Sequence, residues 1–152
     1  MRAVIQRVKS ASIVIDNRTY SQINQGVLVF LGIQKNDRTI YADYLAKKIS
    51  ALRIFSDENN KMNLSVKDIK GEIMVVSQFT LCTDAKKSGN RPSFFLAETP
   101  EKSIILYEEF LDFCKKYYAK DKVKQGVFAA IMEITLVNDG PVTIILERND
   151  DK

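Results

Sequence analysis

The sequence contains no histidine and no tryptophan. Without histidine, one chain cannot assemble a Ser-His-Asp or Cys-His arrangement, nor a histidine-ligated zinc or haem site. The side chain that ordinarily titrates near neutral pH is missing as well. A general base must therefore be a carboxylate or lysine of shifted pKa, a bound water, or a group carried by the substrate. The two cysteines, Cys82 and Cys114, are too few for a Cys-only metal site or a disulfide framework. Both read as small buried side chains in a reducing compartment. No metal and no cofactor is expected.

Other scarcities bound the architecture. There are only three prolines and six glycines, with no internal repeat, low-complexity tract or linker-like stretch. The 152 residues are therefore expected to form a single domain, 1–152, around one core. No apolar run approaches the roughly 20 residues that a membrane span needs. The longest, Gly26 to Ile33, reads as a buried strand. Met1-Arg2-Ala3-Val4-Ile5-Gln6-Arg7 interrupts its apolar residues with charge too early for a secretory signal. A soluble, unprocessed, cytoplasmic protein without membrane association is the expectation.

Hydrophobic residues make up 45% of the chain and charged residues 28%, as in ordinary globular domains. The net charge of +4 is mild but unevenly placed. Lys115, Lys116, Lys120, Lys122 and Lys124 face a single acid, Asp121, within one short stretch, and Lys86, Lys87 and Arg91 form a second basic group. Such patches attract phosphate backbones, although a solvated helix end carries the same lysines.

Strand-like segments open the chain, Arg2 to Val8 and Ala11 to Ile15, followed by a turn at Asp16-Asn17 and a short extended piece. Gly26 to Ile33 is apolar throughout, as in a strand covered on both faces. Asp37 can cap a helix over roughly Arg38 to Leu52, in which Tyr41, Leu45, Ile49 and Leu52 recur at helical spacing. Glu72 to Leu81 reads as a central strand, and residues 82 to 98 as a long polar loop. Thr99-Pro100-Glu101 starts a second helix with Ile104, Tyr107, Leu111, Cys114 and Tyr118 on one face. Met132 to Val137 alternates as a strand, Asn138-Asp139-Gly140 signals a hairpin turn, and Val142 to Leu146 resumes as a strand. The pattern is that of a layered α/β or α+β domain.

Two segments carry candidate chemistry. Ser77-Gln78-Phe79-Thr80 ends an apolar strand and begins a long loop, where a rigid strand presents hydroxyl, amide and backbone N–H groups to substrate. Those N–H groups can face an oxyanion; the plainer reading is a polar strand end that satisfies itself. Asn138-Asp139-Gly140-Pro141-Val142-Thr143 reads first as a hairpin turn, and alternatively as a rigid backbone wall that tests substrate shape.

Taken together, the segments resemble the paired SQxT and NxGPxT signatures of the D-aminoacyl-tRNA deacylases. Met1-Arg2-Ala3-Val4-Ile5-Gln6-Arg7-Val8, Tyr44 to Ile49, Lys61 to Ser65, Gly89 to Phe94 and Leu136 to Pro141 are similar to that family in the same order, almost end to end. The resemblance implies a three-layer α/β/β domain of mostly antiparallel strands with two main helices. It implies a homodimer whose active site lies at the subunit interface, where one chain's Ser77-Gln78-Phe79-Thr80 meets its partner's Gly140-Pro141. The implied reaction is hydrolysis of the ester in D-aminoacyl-tRNA, releasing tRNA and free D-amino acid. A cis Gly140-Pro141 bond would direct carbonyls at the substrate α-amino group and exclude an L side chain. Glycine has no side chain to exclude, so Gly-tRNA, including mischarged Gly-tRNA(Ala), is an implied second substrate.

Within that resemblance, Gln6 and Arg7 match positions near the site, with Arg7 able to orient the Gly-Pro turn. Asn138 belongs to the substrate-binding motif, and Phe79 lines or underlies the pocket. Met132 falls in a segment that helps form the terminal adenosine pocket. An activated ester needs only modest help, so backbone N–H groups around Gln78, Phe79 and Thr80 with a tRNA ribose hydroxyl suffice; the competing mechanism makes Thr80 the nucleophile. Ile131 stands where an acidic residue is expected, Cys82-Thr83 replaces a more usual pair, and the 84–89 loop is longer, with Ser88 as the extra residue. Two other functions remain open: a non-catalytic nucleic-acid-binding module using Lys115 to Lys124, and an amidase for small D-amino acid derivatives.

Overall fold

The computed structural model describes residues 1–86 and 89–150. Lys87 of the second basic group and Ser88 of the 84–89 loop lie outside the described residues. Chain order is β1 (Arg2–Ile15), β2 (Arg18–Ile23), β3 (Gly26–Gly32), α1 (Thr39–Ser50), β4 (Phe55–Ser56), β5 (Met62–Leu64), β6 (Glu72–Ser77), α2 (Pro100–Tyr117), β7 (Val123–Gln125) and β8 (Glu133–Glu147). Short 3₁₀ turns cover Phe79–Cys82 and Lys120–Lys122.

β1 is the spine of the sheet. The two opening segments expected as separate strands are one strand of 14 residues. Asp16 and Asn17 have φ of 49° and 59°, the left-handed pair that a two-residue hairpin turn requires. β2 then returns antiparallel along β1, and β3 continues along the same edge, with Ile23 opposite Ala11 and Gly26 opposite Val8. β8 covers the other edge of β1 over nearly its whole length. β6 pairs β3 in parallel, and β7 pairs β6 in parallel.

The apolar residues of β3 and β6 alternate between two cores. Val27, Val29, Leu31, Ile73 and Val75 face the helical layer, where Leu45 and Ile49 of α1 meet Tyr107, Phe110 and Leu111 of α2. Leu28, Met74 and Val76 face the opposite side. Burial on both faces explains why these strands read as continuous apolar runs. In β1, Ala3 and Ile5 belong to the helix-side core, whereas Ala11 and Ile13, of the same parity, belong to the second. The strand changes phase between them, at exposed Lys9 and Ser10, where the β1–β8 register also slips. The far half of β1, with β2 and the start of β8, thereby folds over the second core and supplies a third layer.

Four local expectations need correction. Asn138-Asp139-Gly140 makes no hairpin; β8 runs through it because β1 offers an unbroken partner strand. Glu72 to Leu81 leaves the sheet at Ser77 and winds into the 3₁₀ turn. Asp37 does not cap α1, whose N-cap is Arg38; its carboxylate instead takes the Met1 ammonium and the Gln34 N–H. In α2, Ile104 is exposed and the buried stripe runs through Ser103, Tyr107, Phe110, Leu111 and Cys114.

One glycine is demanded by close approach. A Cβ on Gly26 would sit 1.9 Å from the Glu72 carbonyl oxygen across the β3–β6 pair. Gly26→Ala is expected to cost about 3 kcal/mol of folding free energy by forcing those strands apart. Denaturant unfolding checks this; an unchanged midpoint would show that the pair yields freely.

Candidate functional site

The carboxyl ends of the parallel pair β3 and β6 build the first half of the site. Ser77 lies opposite Leu31, and the Gln78 N–H donates to the Leu31 carbonyl at 2.8 Å. That bond removes Gln78 from the set of backbone donors expected to face an oxyanion. The chain then turns into the 3₁₀ segment, whose opening N–H groups have no preceding turn to bond. The N–H groups of Phe79 and Thr80 meet no acceptor among the described residues. The Gln78 side-chain amide donates to Thr80 Oγ1 at 2.6 Å, and Thr83 Oγ1 donates to the Thr80 carbonyl at 2.6 Å, so the turn is braced on two sides. No carboxylate or lysine is bonded to the Thr80 hydroxyl among the described residues, so no base is placed to activate it.

Beside this turn opens a cleft of about 650 Å³. Ser77, Gln78, Phe79 and Met132 line it, as do Phe94 and Phe128, while Thr80 stands outside the lining. Phe79 is 60% exposed and meets Phe94 edge-on, with ring centroids 5.1 Å apart. The far wall is the start of α2, with Glu98, Pro100 and Ser103. Sequence reasoning singled out neither Phe128, Glu98 nor Ser103 as site residues. The rule that ligands sit beyond the carboxyl ends of parallel strands would have pointed to the helix start that follows them.

The second motif lies elsewhere in the chain. Between the pairs Gln6–Thr143 and Val8–Asn138, β1 contributes only Arg7, whereas β8 contributes residues 139 to 142. This bulge carries a cis Gly140–Pro141 bond, with Gly140 at φ 128° and both residues exposed. Buried Arg7 is its anchor: Nε donates to the Asp139 carbonyl at 2.9 Å and Nη1 to the Ile54 carbonyl at 2.6 Å. The Asp139 carboxylate lies 3.5 Å from the same Nε. Gln6 donates more loosely to Thr143 Oγ1 at 3.4 Å. Arg7 is level with Val27 of β3, and Ser77 is level with Leu31, one strand further on. At ~3.3 Å per residue along the strands and ~4.8 Å per strand across them, the motifs lie roughly 20 Å apart. Within one chain, Gly140-Pro141 and Ser77-Gln78-Phe79-Thr80 do not share a pocket.

Other candidates fall away from the cleft. α2 starts at the cleft and, at 18 residues, ends roughly 27 Å from it, so Lys115 and Lys116 sit at the opposite end of the domain. Lys116 lies over the rings of Phe113 and Tyr117, and Lys115 lies 3.7 Å from Asp112. Burial pushes the Cys82 thiol up to about 11 and raises that of Cys114 further, so neither is a ready nucleophile. Among the described residues no three Cys, Asp or Glu side chains gather as a metal site requires, and no helix is long and apolar enough to cross a membrane.

Comparison with known proteins matches residues 4–147 to the model of the family described as D-Tyr-tRNA(Tyr) deacylase. The chain belongs to that family. A D-aminoacyl-tRNA deacylase of Dictyoglomus turgidum is 53% identical over 152 residues, covering 100% of this chain and 96% of its own length. One from Thermosipho africanus is 52% identical over 147 residues, covering 97% of each. A solved structure described as c-Myc DNA unwinding element binding protein superposes with a TM-score of 0.92 at 41% identity, over 98% of this chain and 99% of that one. A probable eukaryotic D-amino acid tRNA deacylase superposes at 0.80 with 16% identity, over 95% and 97%, which shows the shared fold. Membership places this chain among hydrolases.

Proposed function

We propose that this protein hydrolyses the ester joining a D-amino acid to the terminal ribose of tRNA, acting in the cytoplasm as a homodimer. The observation that carries the reading is the pair of unengaged N–H groups at Phe79 and Thr80 beside an apolar cleft, in a chain of the deacylase family. Those two donors polarise the ester carbonyl. Water adds to the carbonyl carbon, and the negative charge that develops on its oxygen is held by the Phe79 and Thr80 N–H groups. Collapse expels the ribose oxygen, which takes a proton, while the neighbouring ribose hydroxyl relays the proton lost by water. The chain then needs no histidine, because the base is on the substrate.

Stereochemistry is assigned to the Gly140–Pro141 bulge of the partner subunit. Its carbonyls accept from the α-ammonium group and occupy the space an L side chain would need. Glycyl-tRNA, including Gly-tRNA(Ala), passes the same test. A second chain is invoked because the bulge lies far from its own cleft. β8, which pairs only β1 among the described residues, also leaves Val137 at 50% and Ile145 at 67% exposure along a long strand edge. Such edges are normally covered.

The deciding measurement is paired deacylation of D-Tyr-tRNA and L-Tyr-tRNA at catalytic enzyme concentration. Rapid loss of the D ester alone is expected; loss of both esters would remove the stereochemical role of the bulge, and loss of neither would remove the hydrolase. Thr80→Ala is expected to keep the rate within about tenfold of wild type, since losing one bracing hydrogen bond costs ~1 kcal/mol. A fall of several orders of magnitude would instead make Thr80 the nucleophile.

A second reading, nucleic-acid binding without cleavage, is favoured by one observation: the structural relative at 41% identity is described as a DNA unwinding element binding protein. Binding that falls steeply with salt and ignores whether the tRNA is charged, with no ester cleavage, would establish it.

A further inference from the structure

We propose that Glu98 is the cleft's recognition group for an amino group of the substrate, a specificity-determining role that rests on the deacylase reading. Among the described residues that line the cleft, Glu98 alone carries an ionisable side chain. Its placement is fixed at two points. The Glu98 N–H donates to the Ile33 carbonyl at 3.1 Å, tying the residue to the end of β3, and its Oε1 accepts from the Thr99 N–H at 2.8 Å. No cation pairs with it among the described residues. Lys35, whose N–H bonds Leu96 in the neighbouring crossing, places its ammonium over the Phe95 ring at 3.5 Å.

A carboxylate accepts at about four lone-pair positions and donates at none, so one bond from Thr99 leaves most of its capacity open. No side chain of the cleft wall bonds the carboxylate among the described residues: Phe94, Phe128, Ala97 and Pro100 have no side-chain donor, the Gln78 amide is turned to Thr80 Oγ1, and the Ser77 and Ser103 hydroxyls make no bond to it. Glu98 is half-buried and its bond to Thr99 lies at an exposed position, so its remaining acceptor sites are open to a donor that enters the cleft, and an N–H donor bonded to a charged acceptor is among the stronger contacts available. An aminoacyl-tRNA end brings two amino groups: the exocyclic amine of its terminal adenine and the α-ammonium of the amino acid. The aromatic rings of Phe79, Phe94 and Phe128 that line the same cleft suit the planar base, while the α-ammonium offers the larger Coulomb gain.

The test is a cycle between the side chain and the substrate atom. Single-turnover deacylation and KM are measured for wild type, Glu98→Ala and Glu98→Gln. The three substrates are D-Tyr-tRNA, the same tRNA ending in unsubstituted purine in place of adenine, and the α-hydroxy ester lacking the ammonium. Glu98→Ala is expected to lower kcat/KM on D-Tyr-tRNA by about tenfold or more, as for a hydrogen bond to a charged group. The loss should shrink below about twofold on whichever substrate lacks the recognised amine. Glu98→Gln, which keeps a carbonyl acceptor, should recover part of it. Shrinkage on the purine-ended tRNA assigns the base; shrinkage on the hydroxy ester assigns the α-ammonium. Equal losses on all three substrates, or no loss on any, overturn the assignment, the former marking only the helix-start bond to Thr99. A wild-type protein that cleaves none of them overturns the deacylase reading and this assignment with it.

Discussion

Phe79→Pro is expected to leave the protein folded and to slow ester cleavage by about 10²–10³-fold, the usual effect of deleting one oxyanion donor. Phe79 opens the 3₁₀ turn, and its N–H meets no acceptor among the described residues. Proline is tolerated at the first position of a helical turn because the missing donor was already unpaired. The preceding residue fits as well: Gln78 has φ −143° and ψ 82°, outside the helical region that a following proline disfavours. The structural bond at this point, from the Gln78 N–H to Leu31, survives the change. Phe79→Ala separates the ring from the donor, since it removes the edge-on contact with Phe94 and keeps the N–H. Single-turnover rates with thermal midpoints check the pair. A Phe79→Pro protein as active as Phe79→Ala would show that the ester carbonyl is polarised elsewhere.

The reach of the sequence follows from the range of the interactions involved. Short-range patterns were readable: apolar runs for β3 and β6, helical spacing for α1 and α2, and a turn at Asp16-Asn17 all appear where expected. Long-range competition was not. Asn138-Asp139-Gly140 has the residues of a hairpin, yet β1 is long enough to hold residues on both sides of it, so the extra residues bulge instead of turning back. Asp37 has the chemistry of a cap, but an ammonium 36 residues away is a stronger partner than the N–H groups of α1. The site divides in the same way. Residues contiguous in the chain, from Ser77 to Thr80, were visible as a motif, whereas Glu98, Ser103 and Phe128 reach the cleft only because segments distant in sequence meet there, Glu98 held to the Ile33 carbonyl beyond β3, Ser103 on α2 and Phe128 after β7. The separation of the two motifs depends on strand register, which no periodicity in the sequence encodes.

That separation yields a second large effect. Gly140→Val is expected to abolish D-selective cleavage, because Gly140 sits at φ 128° and even a Cβ there would lie 3.0 Å from Arg7 Nη2 and from Val142 Cγ2. The bulge must then move off its Arg7 anchor. If each active site combines the Phe79 turn of one chain with the Gly140 bulge of another, Gly140→Val and Phe79→Pro damage different halves of the same site. Mixed after mild dissociation, the two inactive proteins should reassociate so that about half of the dimers are heterodimers, each with one intact site of two. About a quarter of wild-type activity should therefore return, from two preparations that have almost none alone. Recovery should follow the heterodimer fraction as the mixing ratio is varied, with a maximum at equal amounts. A site contained in one chain predicts no recovery at any ratio, because both halves of every intact pair would have to come from the same damaged subunit. The experiment thus measures directly whether the roughly 20 Å between the motifs is closed by a second chain.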